Sequence, residues 1–226
     1  MPPARSRVRQ DPLEPLNRGI FSFNDAVDRA LLQPVARVYR EAVPSLVRTG
    51  VRNVLGNVED AWSAVNHLLQ GKGRDAYDMT VRVVTNSTFG FGGLLDVAGE
   101  MGLERRSEDF GQTLGRWGVP PGPYLVLPFL GASSLRDTAG LRVDRAAALP
   151  PRIAHDPTRL AVTTLEVVQT RSELLQAGDL LGQVALDPYT FVREAYLARR
   201  RSLVYDGNPP EEPEDEPATA APAAPR

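Results

Sequence analysis

The sequence predicts an all-helical protein with one irregular, apolar segment in the middle of the chain. Apolar residues recur with the 3.6-residue period of an amphipathic helix in several segments, most clearly in 58–70. No strand–turn–strand signal and no internal repeat stands out. Between the helical segments lies 108–131, which places glycines and prolines around the nearly continuous apolar run 124–130. Together these observations favour one helical unit with an irregular middle.

The N-terminal half of the chain reads as a series of amphipathic helices. In 17–32, Ile20, Phe23 and Val27 share one face, and a short helix follows between Pro34 and Pro44. Further helices are predicted at 46–55, ending at Gly56; at 58–70, ending at Gly71; and at 74–88. Residues 89–102 then mix glycine with large apolar groups, and the periodic pattern weakens there.

Helical signals return in the C-terminal half. Ser107 is the predicted N-cap of a short helix that runs to about Arg116. After an extended segment, helices are predicted at 134–148, stopped by Pro150 and Pro151, at 157–176 and at 188–201.

The two ends of the chain differ from its middle. Residues 1–10 are basic and are expected to be a disordered leader remnant. Residues 207–226 consist mainly of proline, alanine and acidic residues, so we expect disorder there too. The helical domain therefore spans 11–206.

Composition excludes several classes of function. A formal net charge of −2 argues against nucleic-acid binding by phosphate neutralisation. The absence of cysteine excludes disulfides, thiolate catalysis and cysteine metal sites. No apolar run reaches the ~18 residues of a conventional transmembrane helix.

No catalytic or metal-binding constellation is visible, so the chain is not expected to be an enzyme. His67 and His155 have no partners at metal or triad spacing, and both are interpreted as ordinary surface or helix-end residues. The glycines of 89–93 lack the dinucleotide spacing and the Walker lysine, so close packing or hinge flexibility explains them better than phosphate binding. No cofactor and no metal are expected.

Two interpretations of the apolar surfaces stay open. Taken helix by helix, apolar faces usually pack into a shared core, although such faces also lie against lipid. The segment 108–131 adds weight to the lipid alternative, because irregular backbone must satisfy its N–H and C=O groups. It is either the lining of an apolar passage or a plain crossing of the hydrophobic core.

Several motifs occur in order along the chain. They are Asp11-Pro-Leu-Glu-Pro-Leu-Asn-Arg18 followed by Phe21, Phe23-Asn24 and Asp28; Asn66-x-Leu-Leu-Gln-Gly71; Asn86-Ser-Thr-x-Gly90; Gly93-x-x-Asp96; Glu108-Asp-Phe-Gly-Gln-Thr-Leu-Gly115; Trp117-Gly-Val119; Gly122-Pro-Tyr-Leu125; Leu127-Pro128; and Ser133-Ser-x-Arg-Asp137 with Gly140. This ordered set resembles the MlaA (VacJ) family of outer-membrane lipoproteins, densely over 11–145 and loosely beyond.

The resemblance implies a ring-shaped arrangement of amphipathic helices around a central channel, located in the inner leaflet of a Gram-negative outer membrane. It implies a retrograde phospholipid transport pathway, in which phospholipid that has strayed into the outer leaflet is returned and lipid asymmetry is maintained. The implied partners are phospholipid, the outer-membrane bilayer, a trimeric porin and a soluble periplasmic lipid carrier, with no nucleic acid.

The resemblance also suggests roles for individual residues. The family-motif residues are Asp109, Phe110, Gly111, Gln112, Thr113, Trp117, Gly122, Pro123 and Tyr124, and their alternative role is structural, as caps and buried hydrogen bonds. The lipid-channel candidates are Phe89, Phe91, Leu94, Leu125, Leu127, Phe129 and Leu130, which core packing would explain equally well. Gly90, Gly92 and Gly93 are hinge candidates.

Two departures from the family pattern stand out. The family is usually made with a lipoprotein signal and an acylated cysteine, and neither is present in this sequence. Ala132 occupies a position where the family tends to have proline, which predicts a slightly less rigid turn and the same function.

Two classes of function are therefore weighed. The first is a lipid-translocating channel component, supported by the apolar, glycine-hinged middle. The second is a porin-bound interaction scaffold, which would dock the carrier without passing lipid itself. A phospholipase lacks the necessary nucleophile and base.

Overall fold

Helices form most of the described chain, which confirms the predicted fold class. The structure, a computed structural model, describes residues 11–148 and 153–211. Its α-helices are α1 (Glu14–Val27), α2 (Gln33–Ala42), α3 (Ser45–Leu69), α4 (Gly73–Thr88), α5 (Val97–Glu100), α6 (Phe110–Arg116), α7 (Leu135–Ala147), α8 (Asp156–Glu173), α9 (Leu175–Val184) and α10 (Pro188–Val204). The predictions for 1–10, for the helix stop at Pro150 and Pro151, and for 212–226 lie outside the described residues, and the ring-shaped arrangement stays a prediction.

One β-hairpin occurs where the sequence shows no strand–turn–strand signal. Strands β1 (Tyr124–Leu127) and β2 (Gly131–Ser134) pair antiparallel, with Leu127 opposite Gly131. The connecting residues 128–130 contain none of the Asn-Gly or Asp-Gly pairs that mark short hairpins, so the local sequence does not predict a hairpin here. The extended segment was predicted, but its pairing was missed.

The predicted break at Gly56 is wrong, because α3 continues through it. A glycine inside a helix costs only about 1 kcal/mol relative to alanine. The guanidinium of Arg105 packs directly against the helix at this glycine, since a Cβ at Gly56 would lie 2.4 Å from one of its nitrogens. A tertiary contact thus explains a residue that reads locally as a helix stop.

The helical run through 14–42 is also more continuous than predicted. A π-helical segment, Asp28–Leu32, joins α1 directly to α2. Pro34 lies in the first turn of α2 instead of separating two helices. The Gln33 N–H, just before the proline, donates to the Asp28 carbonyl in the π-helical pattern, so the helical run continues to Pro34, which itself has no N–H to donate.

Two further boundaries differ from the predictions. The N-cap of α6 is Asp109 and not Ser107, because the Asp109 Oδ1 atom accepts a hydrogen bond from the Gln112 N–H at 2.8 Å. The predicted helix 157–176 ends at Glu173, and α9 starts after Leu174. By contrast, the helix predicted from Ser134 is confirmed, and Ser134 caps it by accepting from the Asp137 N–H.

Two asparagines of α1 satisfy the free edge of the hairpin. Asn17 donates to the Tyr124 carbonyl at 3.0 Å and accepts from the Val126 N–H at 2.9 Å. One heptad later, Asn24 donates to the Leu127 carbonyl at 2.9 Å and accepts from the Phe129 N–H at 2.8 Å. Each side-chain amide acts as a short piece of neighbouring strand, so the backbone of the apolar segment has its polar groups satisfied.

The hairpin carries the main apolar cluster. Tyr124, Val126 and Tyr189 are buried together, between α1 on one side and α10 on the other. Partly buried residues complete this cluster: Ile20, Phe21, Ala132, Tyr196 and Leu197. The alternation along β1 places Tyr124 and Val126 inside, while Leu125 and Leu127 are half-buried on the opposite face.

Elsewhere the buried side chains are mostly polar, and many large apolar side chains are exposed. On α3, Asn57, Asp60 and His67 are buried, whereas Val65 and Leu68 of the predicted apolar face are exposed. Among the described residues, buried side chains are more often polar or charged than hydrophobic. The interpretation of the apolar faces as a shared core is therefore wrong for α3. None of the helices in 11–148 and 153–211 combines the length and hydrophobicity of a membrane-spanning segment.

We predict that Asn17→Ala destabilises the fold by about 2 kcal/mol, since it leaves the Val126 N–H and the Tyr124 carbonyl without partners in a buried setting. For a chain of this size, that loss lowers the melting temperature by about 4–8 °C. Circular dichroism of the purified full chain measures it, with exposed Asn208→Ala as the matched control. Equal melting temperatures for the two variants would show that Asn17 does not hold the hairpin.

Candidate functional site

Two adjoining cavities lie between the helices and the hairpin turn. The first cavity, of about 440 Å³, is lined by residues of α3, the start of α6, α7 and α8. The second cavity, of about 770 Å³, is lined by α1, the π-helical segment, the hairpin turn and α8. Both are lined by Arg145, Ala148 and Glu166, which we call the shared wall. The two cavities therefore meet at a wall that carries one basic residue, Arg145, and one acidic residue, Glu166.

The second cavity is mainly apolar. Its apolar lining residues are Val27, Leu32, Phe129, Leu130, Val167 and Leu174. Asp28 and Arg171 also line it, but they neutralise each other through bidentate hydrogen bonds of 2.6 and 2.8 Å. The space thus offers an apolar surface together with a charged boundary at the shared wall.

The first cavity is more polar and contains several carboxylates. Asp144 accepts from the Trp62 Nε1–H and the Phe110 N–H, both at 2.8 Å. Burial raises the pKa of Asp144, and it likewise raises the pKa of Glu59 and of Glu166. These three groups are carboxylates in surroundings that disfavour their charge.

The remaining carboxylates of the first cavity are paired. Lys72 donates to Glu108 at 2.9 Å, and Gln70 donates to the other oxygen of the same carboxylate at 2.9 Å. Gln70 also donates to the Thr113 hydroxyl, which in turn donates to Asn66 at 2.7 Å. This network joins the end of α3 to α6 and satisfies the polar groups behind the cavity wall.

Arg200 holds α6 against α7 and α10. It donates to Asp109 through both terminal nitrogens and to Asp137 at 2.9 and 3.1 Å. Burial alone would raise the pKa of both carboxyls, but hydrogen bonding and the charge of Arg200 hold the pKa of each below its usual value. The network fixes the N-terminus of α6, and with it Asp109 and Gln112 in the wall of the first cavity.

Close backbone contact supports this arrangement. A Cβ at Gly140 would lie 2.7 Å from the Gly111 N atom, and a Cβ at Gly111 would lie 2.6 Å from Asp137 Oδ1. Only glycine permits such an approach of α6 to α7. Gly111 therefore has a structural reason for its place in the motif.

Phe129 has a strained backbone at the hairpin turn. Its φ angle is +63°, a region that costs a non-glycine residue roughly 1–2 kcal/mol. The Asn24 side chain accepts from its N–H, and its ring packs edge-on against Phe23 with ring centroids 5.3 Å apart. The ring is nonetheless 70% exposed and lines the second cavity. Strain of this kind, combined with an exposed apolar ring, points to a functional surface.

The structure separates the predicted lipid-channel candidates into three groups. Phe129 and Leu130 line the second cavity. Leu125 and Leu127 belong to β1 and line neither cavity, and Phe89, Phe91 and Leu94 are exposed on the connection between α4 and α5. Contact with acyl chains stays a prediction for all seven, with the first two best placed for it.

The family-motif residues mostly make structural contacts. Trp117 donates to the Leu69 carbonyl at 2.9 Å, and its ring lies edge-on to Phe110. Gly122 has a φ of +67°, and the Pro123 carbonyl accepts from the Leu135 N–H. Tyr124 lies in the apolar cluster of the hairpin, and burial raises its pKa to about 12. These contacts support the structural interpretation of the motif.

Packing explains two of the three hinge candidates. A Cβ at Gly90 would lie 2.3 Å from the Leu95 carbonyl oxygen, and one at Gly93 would lie 3.0 Å from the Asn57 side chain. Gly92 has a φ of +72° with open space around it. A hinge motion at these glycines stays a prediction.

The histidines differ in their environments. His67 lies in the last turn of α3, as expected of a helix-end residue, but it is buried, with its Nε2 atom 3.0 Å from the Arg106 carbonyl oxygen, so it is not a surface residue. His155 is exposed and caps α8 by accepting from the Thr158 N–H, as expected of a helix-end residue. The parts of the chain that the structure describes contain no cluster of histidines and carboxylates suited to a metal ion.

Sequence reasoning missed the charged residues of the cavity. Glu59, Arg145 and Glu166 lie on helices at positions that read as solvated polar faces. A signal that could have found them is the apolar character of the opposite faces of the same helices. If the apolar face points outward, the polar face lines the interior.

The fold and the site together define a mostly helical protein with an apolar exterior and an amphipathic cavity in a polar interior. The family model described as MlaA lipoprotein matches residues 9–203. The chain therefore belongs to the MlaA lipoprotein family, as the motifs suggested.

Two curated relatives are named intermembrane phospholipid transport system lipoprotein MlaA. The one from Shigella flexneri is 40% identical over 205 residues, and the one from Escherichia coli strain K12 is 39% identical. Each alignment covers 88% of this chain and 80% of the relative. A solved structure described as the structural basis for maintenance of bacterial outer membrane lipid asymmetry matches with a TM-score of 0.76 at 37% identity. That match covers 87% of this chain and 100% of the other.

We predict that Arg200→Gln destabilises the fold by about 3 kcal/mol, because in a largely buried setting it leaves Asp109 without its cation and Asp137 with Arg136 as its remaining ion-pair partner among the described residues. Exposed Arg199→Gln on the same helix is the matched control. Urea unfolding of both variants measures the loss, and a difference of less than 1 kcal/mol would contradict the role of Arg200.

The ion pairs of Arg200 with Asp109 and Asp137 also predict that the stability of the fold decreases at acid pH. The pKa of Asp109 and of Asp137 is lower in the folded state than in the unfolded state, so the stability they contribute is present above an unfolded pKa of about 4. It is lost as the pH falls below that value through the folded pKa values. Melting temperatures between pH 7 and pH 3 should therefore fall more steeply for the unmodified protein than for Arg200→Gln. Parallel curves would rule out this linkage.

Proposed function

We propose that this protein is the outer-membrane component of a retrograde phospholipid transport pathway. In this proposal it removes phospholipid mislocalised to the outer leaflet and passes it to a soluble periplasmic carrier, which maintains lipid asymmetry. The observation that carries the proposal is the combination of an apolar exterior with an interior cavity that has an apolar part and a charged part.

The exterior supports contact with a bilayer. Large apolar side chains are exposed along the N-terminal helices, among them Leu16, Leu31, Val38, Leu46 and Leu68. Soluble monomers rarely expose large contiguous apolar patches, whereas burial of such side chains in lipid gains about 0.8 kcal/mol per CH₂ group. We infer that the protein lies in the periplasmic leaflet side of the outer membrane, with these faces in contact with acyl chains.

The cavities support passage of an amphipathic molecule. A phospholipid needs a polar surface for its headgroup and an apolar surface or bilayer for its acyl chains. The shared wall and the first cavity offer the polar surface, and the second cavity offers the apolar surface. Phe129 and Leu130, at the edge of the second cavity, are our candidates for acyl-chain contact.

No covalent step is needed for this function. A polar lining lowers the barrier for moving a headgroup across an apolar region, and direction follows from a carrier with higher affinity downstream. The protein is accordingly proposed to act without catalysis or a cofactor. The trimeric porin and the periplasmic carrier enter the proposal through the family resemblance.

We predict that phospholipid reaches the interior of the first cavity. Three variants each carry one photo-crosslinking residue. It replaces Leu141 in the lining of the first cavity, Leu130 in the lining of the second cavity, or exposed Asn208 as the control. Mass spectrometry of cells irradiated after outer-leaflet lipid accumulates should show phospholipid adducts at Leu141 and Leu130 and none at Asn208. Adducts at Leu130 alone would indicate only surface contact with the bilayer, and an absence of adducts at both sites would favour the scaffold.

A charge in the apolar wall should block transport. Val167→Asp places a carboxylate in the second cavity, whereas Thr164→Asp places one on the same helix outside the lining of either cavity. We expect the first variant to lower clearance of outer-leaflet phospholipid at least about ten-fold, since desolvating a charge costs more than the ~1.4 kcal/mol that this factor represents. Porin association should be unchanged in both. Normal clearance by a folded Val167→Asp variant would contradict the lipid passage.

A further inference from the structure

Arg145 lies in the shared wall, and its side chain has no hydrogen-bond or ion-pair partner among the described residues. It lies in the last turn of α7 and lines both cavities. No hydrogen bond or ion pair joins its side chain to another residue in the described parts of the chain, whereas Arg171 and Arg200 are committed to Asp28 and to Asp109 and Asp137. A guanidinium that is free at the edge of a cavity is suited to bidentate binding of a phosphate.

Two carboxylates that form no ion pair with a described residue line the same cavity. Glu59 and Glu166 both line the first cavity, and neither forms an ion pair with a described residue. Burial raises the pKa of Glu59, the charge of Arg105 opposes this shift, and the charge of Glu166 adds to it. A ligand cation between them would relieve both the burial cost and the mutual repulsion.

The Gln112 side chain forms part of the buried wall of the first cavity. The amide of Gln112, a buried residue in the lining of the first cavity, donates to Asp109 at 3.2 Å. Its Oε1 atom has no hydrogen-bond partner among the described residues. This oxygen is inaccessible to solvent, so it belongs to the wall behind the cavity surface and is not a contact for a ligand.

We propose that this cavity selects zwitterionic phospholipids, with Arg145 binding the phosphate and Glu59 and Glu166 binding the primary ammonium of an ethanolamine-type headgroup. This inference rests on the proposed function. An anionic headgroup of the glycerol type brings no cation, so the two unpaired carboxylates repel it while Arg145 alone attracts it. The arrangement therefore discriminates against net anionic lipid by repulsion and favours the zwitterion by pairing.

The test is a competition between two lipids in one vesicle. The purified full chain, with a photo-crosslinker in place of Leu141, is incorporated into vesicles with equal amounts of phosphatidylethanolamine and phosphatidylglycerol. Mass spectrometry then gives the ratio of the two adducts. We expect the ethanolamine lipid to be favoured about ten-fold, the factor expected from one charge-assisted contact in a partly buried site.

Variants assign the selectivity to residues. The double variant Glu59→Gln with Glu166→Gln should bring the adduct ratio close to one with the total yield retained. Arg145→Gln should lower the yield of both adducts, whereas Arg142→Gln, which removes an exposed charge from the same helix outside the cavity lining, should change neither ratio nor yield. Circular dichroism confirms that each variant is folded.

The outcomes separate this inference from the function on which it rests. Equal adducts in the unmodified protein, or an unchanged ratio in the double variant, would overturn the headgroup selectivity and leave the lipid passage standing. A total absence of lipid adducts at Leu141 would overturn the passage itself, and the selectivity with it.

Discussion

The buried pair of Arg82 and Asp60 shows the constraint on which this structure depends. The side chains of Arg82 and Asp60 are 1% and 0% exposed, and Arg82 also donates to Asp96 and to the Leu103 carbonyl. Because most buried side chains outside the hairpin cluster are polar or charged, hydrophobic contact alone cannot hold the interior together. Polar groups must satisfy one another there, and burying charge is tolerated only when each partner has complete hydrogen bonding. Arg82 meets this condition by joining α4, α3 and the segment that follows α5.

The apolar hairpin follows from the same constraint. Its backbone would be costly to bury next to lipid or inside a cavity wall if its outer edge were unpaired. Asn17 and Asn24 provide the missing partners from one face of α1, seven residues apart. Residues 117–123, with several of the glycines and prolines, form an exposed connection between α6 and β1. Pro128 and Gly131 shape the turn that carries Phe129 and Leu130 on a satisfied backbone.

Helix positions could be predicted from the sequence far better than the direction each helix faces. The periodicity of 58–70 identifies a helix whether its apolar stripe points to a core or to lipid. The local sequence therefore could not predict that Asp60 and His67 are buried. Gly56 reads as a helix end because its reason, the Arg105 guanidinium, is about fifty residues away. Arg145 and Glu166 are single charges without motif spacing, and only the tertiary structure brings them into one wall. The motif residues Asp109 and Gly111 were detectable through family resemblance, although their contacts prove structural.

A polar interior also explains how such a protein could act without chemistry. In the proposed pathway the headgroup leaves water only for the first cavity, where Arg145 and the carboxylates replace part of its hydration, while the acyl chains stay against the second cavity or the bilayer. The cost of the transfer is thereby divided between two surfaces that are each complementary to one end of the lipid. An interior of ordinary aliphatic packing would stabilise the fold more simply, but it would leave no path for a charged headgroup. The paired charges behind the wall, such as Lys72 with Glu108 and Arg200 with Asp109, keep the fold stable, so that the charges facing the cavity can stay unpaired until a ligand arrives.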